Sequence, residues 1–426
     1  MGFVAGKRRM GDDLRALGLF GPEMQGFGRL ASGMEASADS AKSVILAGID
    51  EAGYGPLLGP LCVGLSVFEV PVETDGAGLP AGGVPNLWEM LSEGVCREAG
   101  RGGKPDARGR IAIADSKQLK LSSSVTTTHP LVHLERGVLT MVRAMGRARE
   151  RQCEGAKEVS EESEFLPRTD SELLTALCAS WPAEEWYAVE AKSLPLAHSA
   201  GQLAIAAALL ERTLEKKGVT PLAMRCRVMG EGEFNQTARG VASESAGEDV
   251  VQAVGKAATT GKAVREHMQL VWQRWGQASV SPSGELKGRL GIVCDRQGGR
   301  MQYGHFLQTC FPGAAITVVE ESELRSRYVV EDAQGAMDGT PRRAGVTFLV
   351  EGEQAHLPVA MASMIAKLVR ETCMDRFNRV WGARAKARAS REIKPTAGYA
   401  LDAQRWLREM EDLLSDEERG GLIRIV

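Results

Sequence analysis

The chain has no apolar run approaching the roughly 18 residues that a membrane span requires, so no membrane partner is expected. Paired metal-binding cysteines are also missing. The eight cysteines (Cys62, Cys96, Cys153, Cys178, Cys226, Cys294, Cys310 and Cys373) include no C-x-x-C pair, and several sit inside apolar runs. Thiols in such settings read as reduced and buried, which fits a cytoplasmic location. A zinc site has little support: His129 and His133 are four apart, but Pro130 lies between them and no acid or cysteine accompanies them. There is no basic excess either. The formal net charge is −3, so any nucleic-acid footprint must be local. Lys7, Arg8 and Arg9 precede no hydrophobic segment, which argues against a secretory signal. Met1-Gly2 resembles a myristoylation start, but Gly6 occupies the place of the required Ser or Thr. No internal repeat is present.

The 426 residues are 43% hydrophobic and 25% charged, the balance of an ordinary globular chain with a sizeable core. Residues 1–43 are rich in Gly, Met and Ser and read as a flexible tail, with Met34 a plausible alternative start. Residues 44–69 read as two strands joined by a tight turn, for which Gly53, Gly55, Pro56, Gly59 and Pro60 supply the chemistry. Short strands are expected at 225–229, 290–294, 314–319 and 346–350, and helices at 199–217, 259–275 and 402–414. The most regular helix runs from Pro358 to Trp381, with Met361, Met364, Ile365, Leu368, Val369, Cys373, Phe377, Val380 and Trp381 on one apolar stripe. Residues 70–110, 145–190 and 325–345 are Gly/Pro-rich or charged and read as surface insertions. The order of elements suggests an α/β fold with a mixed sheet flanked by helices.

Acidic residues close several of the apolar runs. Val44-Ile45-Leu46-Ala47-Gly48-Ile49 ends in Asp50-Glu51, placing two carboxylates at the mouth of a buried strand. That is a costly position for charge unless a cation sits there. Asp295 ends a second strand and Glu353 follows a third. Singly, each has a plain reading as a solvated strand end, a turn former or a helix-approach carboxylate. Together, on one sheet, they form a self-repelling cluster that divalent cations relieve. Mg²⁺ prefers oxygen ligands, and a pair of such ions about 3.5–4 Å apart can activate water against a phosphodiester.

These residues resemble a known family. Gly48-Ile49-Asp50-Glu51-Ala52-Gly53-Tyr54-Gly55-Pro56 with Gly59-Pro60 resembles the opening motif of the type 2 ribonucleases H, ribonucleases HII and HIII. Asp115-Ser116-Lys117 resembles their D-S-K segment, and Asp295 falls where the third acid belongs. The segment from Glu353 through Pro358 to Lys367 resembles the fourth acid and the A-A-S-I-hydrophobic-A-K helix, and Gly398-Tyr399 their G-Y motif. The matches occur in family order across residues 44–407. The resemblance implies an RNase H-like mixed β-sheet flanked by helices, with a C-terminal helical part and the insertions named above. It implies an endonuclease that cleaves the RNA strand of RNA–DNA hybrids, or ribonucleotides embedded in DNA, using Mg²⁺ or Mn²⁺ and leaving 3′-hydroxyl and 5′-phosphate ends; a monomer is expected.

Carried over by position, Asp50, Glu51, Asp295 and Glu353 would be the catalytic, metal-binding acids. Gly53, Tyr54 and Gly55 would read a ribose 2′-hydroxyl. Lys117, Ser363 and Lys367 would contact the substrate, and Tyr399 would pack on a sugar. Two positions depart from the family: Tyr54 replaces an arginine that binds phosphate, and Gln404 stands where ribonuclease HII usually has histidine. They motivate a second reading, a non-catalytic or altered-specificity nucleic-acid-binding paralogue of the same fold. A third is a related nuclease acting on another structure. Between Arg376 and Lys394 seven basic residues face Glu392 alone, which reads either as a backbone-tracking surface or as a solvated loop.

Overall fold

The computed structural model describes residues 43–72, 85–100, 104–122, 125–152, 166–240, 255–280, 286–335 and 338–425. The N-terminal segment read as a tail, Cys153 and the acidic run from Glu158 to Glu164 lie outside the described residues.

Seven strands form one mixed sheet. Strands β1 (Ser43–Ala52), β2 (Leu61–Pro71) and β3 (Thr220–Met229) are joined antiparallel, β1 to β2 and β2 to β3. On the other side of β1 lies β4 (Leu290–Asp295), and beyond it β7 (Arg342–Leu349); both contacts are parallel. Strands β6 (Arg325–Asp332) and β5 (Ala315–Glu321) complete the sheet antiparallel, giving the order β3-β2-β1-β4-β7-β6-β5. Residues 325–345 are therefore mostly strand, not a charged excursion. Their charges pair, as Arg343 with Glu331 at 2.9 Å across the β6–β7 ladder. Such pairs let charged residues line a ladder.

Helices cover both faces. On one side α1 (Val132–Gln152), α2 (Ala200–Lys217) and α5 (Leu357–Ala389) share a core with β1, β2 and β3. On the other, α3 (Glu231–Ala238) and α4 (Lys256–Trp275) pack against the sheet with Phe234, Met268, Val271 and Trp272. The C-terminal helical part is α6 (Ala400–Glu409) and α7 (Asp416–Leu422). The segments read as insertions also feed the core: Trp88 near residue 90 and Trp186 and Tyr187 near residue 187 are buried in it.

Helix α5 differs from the expected one-sided stripe. Every residue from Leu357 to Arg370 is buried, because the helix runs between the sheet and the helical layer. Its backbone lies almost on the sheet. A Cβ on Gly48 would fall 2.1 Å from Pro358 C, and one on Gly64 2.1 Å from Ala362 O. Only glycine admits so close an approach. The long basic segment is accounted for in the same way. Arg376 forms a buried pair with Asp170 at 2.8 Å, Arg388 pairs with Glu418 at 2.7 Å, and Arg391 pairs with Asp412 at 2.8 Å. Trp381 lies fully buried among Phe377, Trp186 and Trp406. Much of this stretch is thus paired with acids distant in the chain.

Candidate active site

Strands β1, β4 and β7 are parallel neighbours, so their C-terminal ends meet on one edge of the sheet. Ile49 is the β1 partner of Cys294, and Leu349 is the β7 partner of Asp295. That register brings Asp50, Asp295 and the segment after Leu349 side by side. A left-handed residue, Glu351 (φ 53°), turns the chain, and Glu353 follows in a short helical turn, Gly352–Ala355. The Gly352 N–H donates to Asp295 Oδ1 at 2.8 Å, fixing this turn to β4. Asp50 Oδ1 accepts from the Glu51 N–H at 2.7 Å.

Electrostatics binds the four acids into one unit. Burial first, then the charges of Asp295 and Glu51, hold the Asp50 carboxyl well above its usual range. Glu51 is pushed up to about 7 by burial and then by Asp295. Glu353 is also pushed up to about 7, by burial and then Asp295. Asp295 itself is raised by burial, against the pull of the Gly352 N–H and of Lys117. Burial opposes the Lys117 charge, but Asp115, Glu353, Asp50 and Asp295 outweigh it and hold the ammonium above its ordinary value.

Lys117 reaches this position through the D-S-K segment. Asp115 caps the short helix Ser116–Leu119 by accepting from the Lys117 N–H at 2.9 Å. Buried Ser116 accepts a hydrogen bond from Ser363 of α5 at 3.0 Å, and the Ser363 hydroxyl lies close enough to the Asp50 carboxyl to pull its pKa down against burial. One helical turn on, Lys367 pairs with Glu371 at 2.9 Å and stands 5.8 Å from the Tyr399 ring centre. Tyr399 is 44% exposed, with Arg370 5.2 Å from its ring centre. Gly53, Tyr54 and Gly55 follow directly from the Asp50–Glu51 strand end, and Lys256 stands 4.9 Å from the Tyr54 ring centre.

Sequence reasoning missed the roles of Ser116, Glu231 and Arg424. Glu231, fully buried, accepts from the Gly59 N–H at 3.1 Å and the Tyr187 hydroxyl at 2.9 Å. Arg424 is buried beneath the glycine turn. The available signal for it was one charge flanked by Leu422, Ile423 and Ile425.

No family model and no curated protein matches the chain. Among solved structures it is similar to the ribonuclease H2 from Pyrococcus horikoshii OT3, with 12% identity over 89% of this chain and 92% of that one (TM-score 0.33). It is also similar to a chain of the PCNA:RNase HII complex from Archaeoglobus fulgidus, with 12% identity over 90% and 94% (TM-score 0.30). A third is Bst-RNase HIII in complex with Mn²⁺, with 11% identity over 93% and 73% (TM-score 0.33). At this level of identity and superposition, family membership is not established, and function must be argued from the chain's own residues.

The donor set suits a hard cation. It consists of carboxylate oxygens alone, and Glu353 Oε2 is buried with no hydrogen-bond partner. Among the described residues, no three His, Cys, Asp or Glu side chains close on a common point. Mg²⁺ retains several waters and takes one or two protein carboxylates directly, so an open arrangement is compatible with it. No described helix is long and apolar enough to cross a membrane.

Proposed function

We propose that this chain is a divalent-metal-dependent endoribonuclease of the ribonuclease H type, acting on the RNA strand of RNA–DNA hybrids or on ribonucleotides embedded in DNA. The observation that supports the reading is that the register of three parallel strands brings Asp50, Glu51, Asp295 and the turn carrying Glu353 to one edge of the sheet, where Asp295, Glu51 and Glu353 raise the pKa of neighbouring acids. Such a site without cations stores repulsion, and a polyanionic substrate would not approach it.

Asp50, Glu51, Asp295 and Glu353 would hold Mg²⁺ or Mn²⁺, which when bound supplies charge neutralisation at phosphorus and a more acidic water. The remaining chemistry belongs to the chain. Ser363 orients the Asp50 carboxyl from α5. Lys117 places a positive charge beside all four acids and is exposed enough to meet a phosphate. Gly53, Tyr54 and Gly55 would meet the ribose next to the reacting bond. Tyr399, half-exposed above Lys367 and Arg370, offers a flat face for a sugar. The products would be 3′-hydroxyl and 5′-phosphate ends.

A second reading, a binding protein of the same fold without turnover, draws on the open arrangement of the carboxylates. One experiment separates the two. Purified protein is incubated with Mg²⁺ or Mn²⁺ and either a labelled duplex holding a single ribonucleotide or a full hybrid. The nuclease reading expects cleavage by the wild type and none by Asp50→Asn. Binding of hybrid with no cleavage under either metal favours the second reading.

A further inference from the structure

Three buried thiols come together between the sheet and α5. Cys62 on β2 is the ladder partner of Val228, and Cys226 on β3 is the partner of Gly64. The two cysteines therefore stand two places apart and share one face of the sheet. Helix α5 lies on that face, where a Cβ on Gly64 would fall 2.1 Å from Ala362 O. Cys373 follows about three turns further along α5, on the same side of the helix. All three belong to one core cluster at 3% exposure or less, and all three are free thiols.

Two buried guanidiniums stand beside them. Arg424, 1% exposed, donates through Nη1 to Gly53 O at 2.7 Å and Gly59 O at 3.2 Å, and lies 3.7 Å from the Phe234 ring centre. Arg370, fully buried, donates through Nη2 to Ala397 O at 3.0 Å. Among the described residues neither has a carboxylate within ion-pairing distance. Arg370 Nε and Nη1 and Arg424 Nε are buried with no hydrogen-bond acceptor. Glu231 reaches the same region, but burial and then Glu184 push its carboxyl up to about 7. Two positive charges in a dry site call for an anion.

Cys62 is placed to be that anion. Burial opposes its ionisation, but the thiols of Cys226 and Cys373, and then the charges of Arg370 and Arg424, outweigh burial and hold it well below its ordinary value. Burial, and then Cys62, hold Cys226 and Cys373 well above theirs. A thiolate next to a second thiol is the arrangement that peroxides convert to a disulfide. There is also a way in. Cys226 lines a surface cleft of about 380 Å³ whose walls include exposed Cys178, Trp181 and Glu184.

We propose that Cys62 and Cys226 are a redox-active pair: Cys62, seated beside Arg370 and Arg424, reacts with a hydroperoxide that enters the cleft and then closes a disulfide with Cys226. With hydrogen peroxide, the Cys62 thiolate sulfur attacks one oxygen; the S–O bond forms, the O–O bond breaks and hydroxide leaves. The Cys226 sulfur then bonds to that of Cys62, the S–O bond breaks, and the departing hydroxide takes the Cys226 proton as water. One thiolate, one thiol and one peroxide give one disulfide, one water and one hydroxide; the two sulfurs are oxidised and the two peroxide oxygens reduced. The pair does not depend on the nuclease reading.

The test treats the reduced full chain with hydrogen peroxide, raised until Cys178 is oxidised. Remaining thiols are then blocked in denaturant, and peptides are mapped by mass spectrometry with and without dithiothreitol. The expected result is a Cys62–Cys226 cross-linked peptide, with the loss of two blockable thiols that dithiothreitol restores. Cys178→Ser should keep the cross-link, because Cys178 only lines the approach. The untreated wild type should show the ultraviolet absorbance of one thiolate at neutral pH. A cluster that stays fully blockable after Cys178 is oxidised overturns the inference. So does a bridge from Cys226 to Cys178 or from Cys62 to Cys373, loss of the cross-link in Cys178→Ser, or the absence of thiolate absorbance.

Discussion

The Gly352 amide donates to Asp295 Oδ1, and this one hydrogen bond fastens the turn that carries Glu353 to the end of β4. It also separates two roles of Asp295, a structural acceptor and a charge. Asp295→Asn keeps an acceptor oxygen and removes the charge; Asp295→Ala removes both. We expect Asp295→Asn to melt near the wild-type temperature without divalent ions, because the repulsion on Glu51 and Glu353 falls. Its Mn²⁺-dependent stabilisation and its cleavage activity should both be lost. Asp295→Ala should lose about 1–3 kcal/mol by leaving the Gly352 N–H without its acceptor. Thermal melts with and without Mn²⁺ check both variants; a full Mn²⁺ shift in Asp295→Asn contradicts the site.

Stability without metal should depend on pH in a specific window. Glu51 and Glu353 move from ordinary values of 4.5 to about 7 in the folded chain. The folded state therefore binds protons more tightly than the unfolded one. Their contribution is fully present below pH 4.5 and is lost as pH rises through about 7. Two buried histidines, His267 and His356, work the other way. Both fall from 6.5 to about 4, so their contribution is lost as pH drops through that interval. Well above 6.5 the histidines are neutral in both states, and the raised carboxyls, Glu51, Glu353 and the equally raised, buried Glu231, act alone. The melting temperature in chelator should decline as pH rises through about 7, and Mg²⁺ or Mn²⁺ should remove the share due to Glu51 and Glu353 while leaving that of Glu231. Differential scanning fluorimetry reads this directly. Glu51→Gln should flatten the slope; an unchanged slope contradicts the assignment.

The contact between α5 and the sheet yields a packing prediction. Gly64→Ala would place a methyl group 2.1 Å from the Ala362 carbonyl oxygen, and that carbonyl belongs to a helix buried all round. The helix cannot yield as a flexible side chain can. We expect a loss of about 3 kcal/mol or more in urea denaturation, at the upper end of overpacking costs. Gly55→Ala, in open space, should leave stability within about 0.5 kcal/mol of wild type.

Much of this site was legible because acids closing apolar runs are a local pattern. Asp50, Glu51 and Asp295 each end such a run, and Ser363 and Lys367 lie one turn apart on a helix that could be read from its periodicity. The strand order was not legible, since it depends on β4 entering beside β1 from more than 200 residues away. The segment 325–345 was misread because its charges hide a ladder alternation that cross-strand pairs permit. Arg424 was missed because nothing near it in the chain shows that its partners are the carbonyls of Gly53, Tyr54 and Gly59.

The basic segment supplies the last prediction, because local sequence and tertiary structure disagree there. Counted along the chain, Arg388 and Arg391 look like free cations ready for a phosphate backbone. In the fold they pair with Glu418 and Asp412, which arrive from the C-terminal helical part. Arg388→Ala with Arg391→Ala should leave hybrid affinity and its salt dependence nearly unchanged, since no counterion release is lost. Stability should stay close to wild type, as for exposed pairs. Asp170→Ala should behave in the opposite manner. It strands the Arg376 guanidinium, 2% exposed, without its carboxylate. Breaking a buried pair costs about 3–5 kcal/mol. Salt titrations of hybrid binding and urea melts of the two variants separate a surface that tracks nucleic acid from one that holds the C-terminal helices in place. A salt slope reduced by one to two charges in the double variant would return these arginines to the substrate.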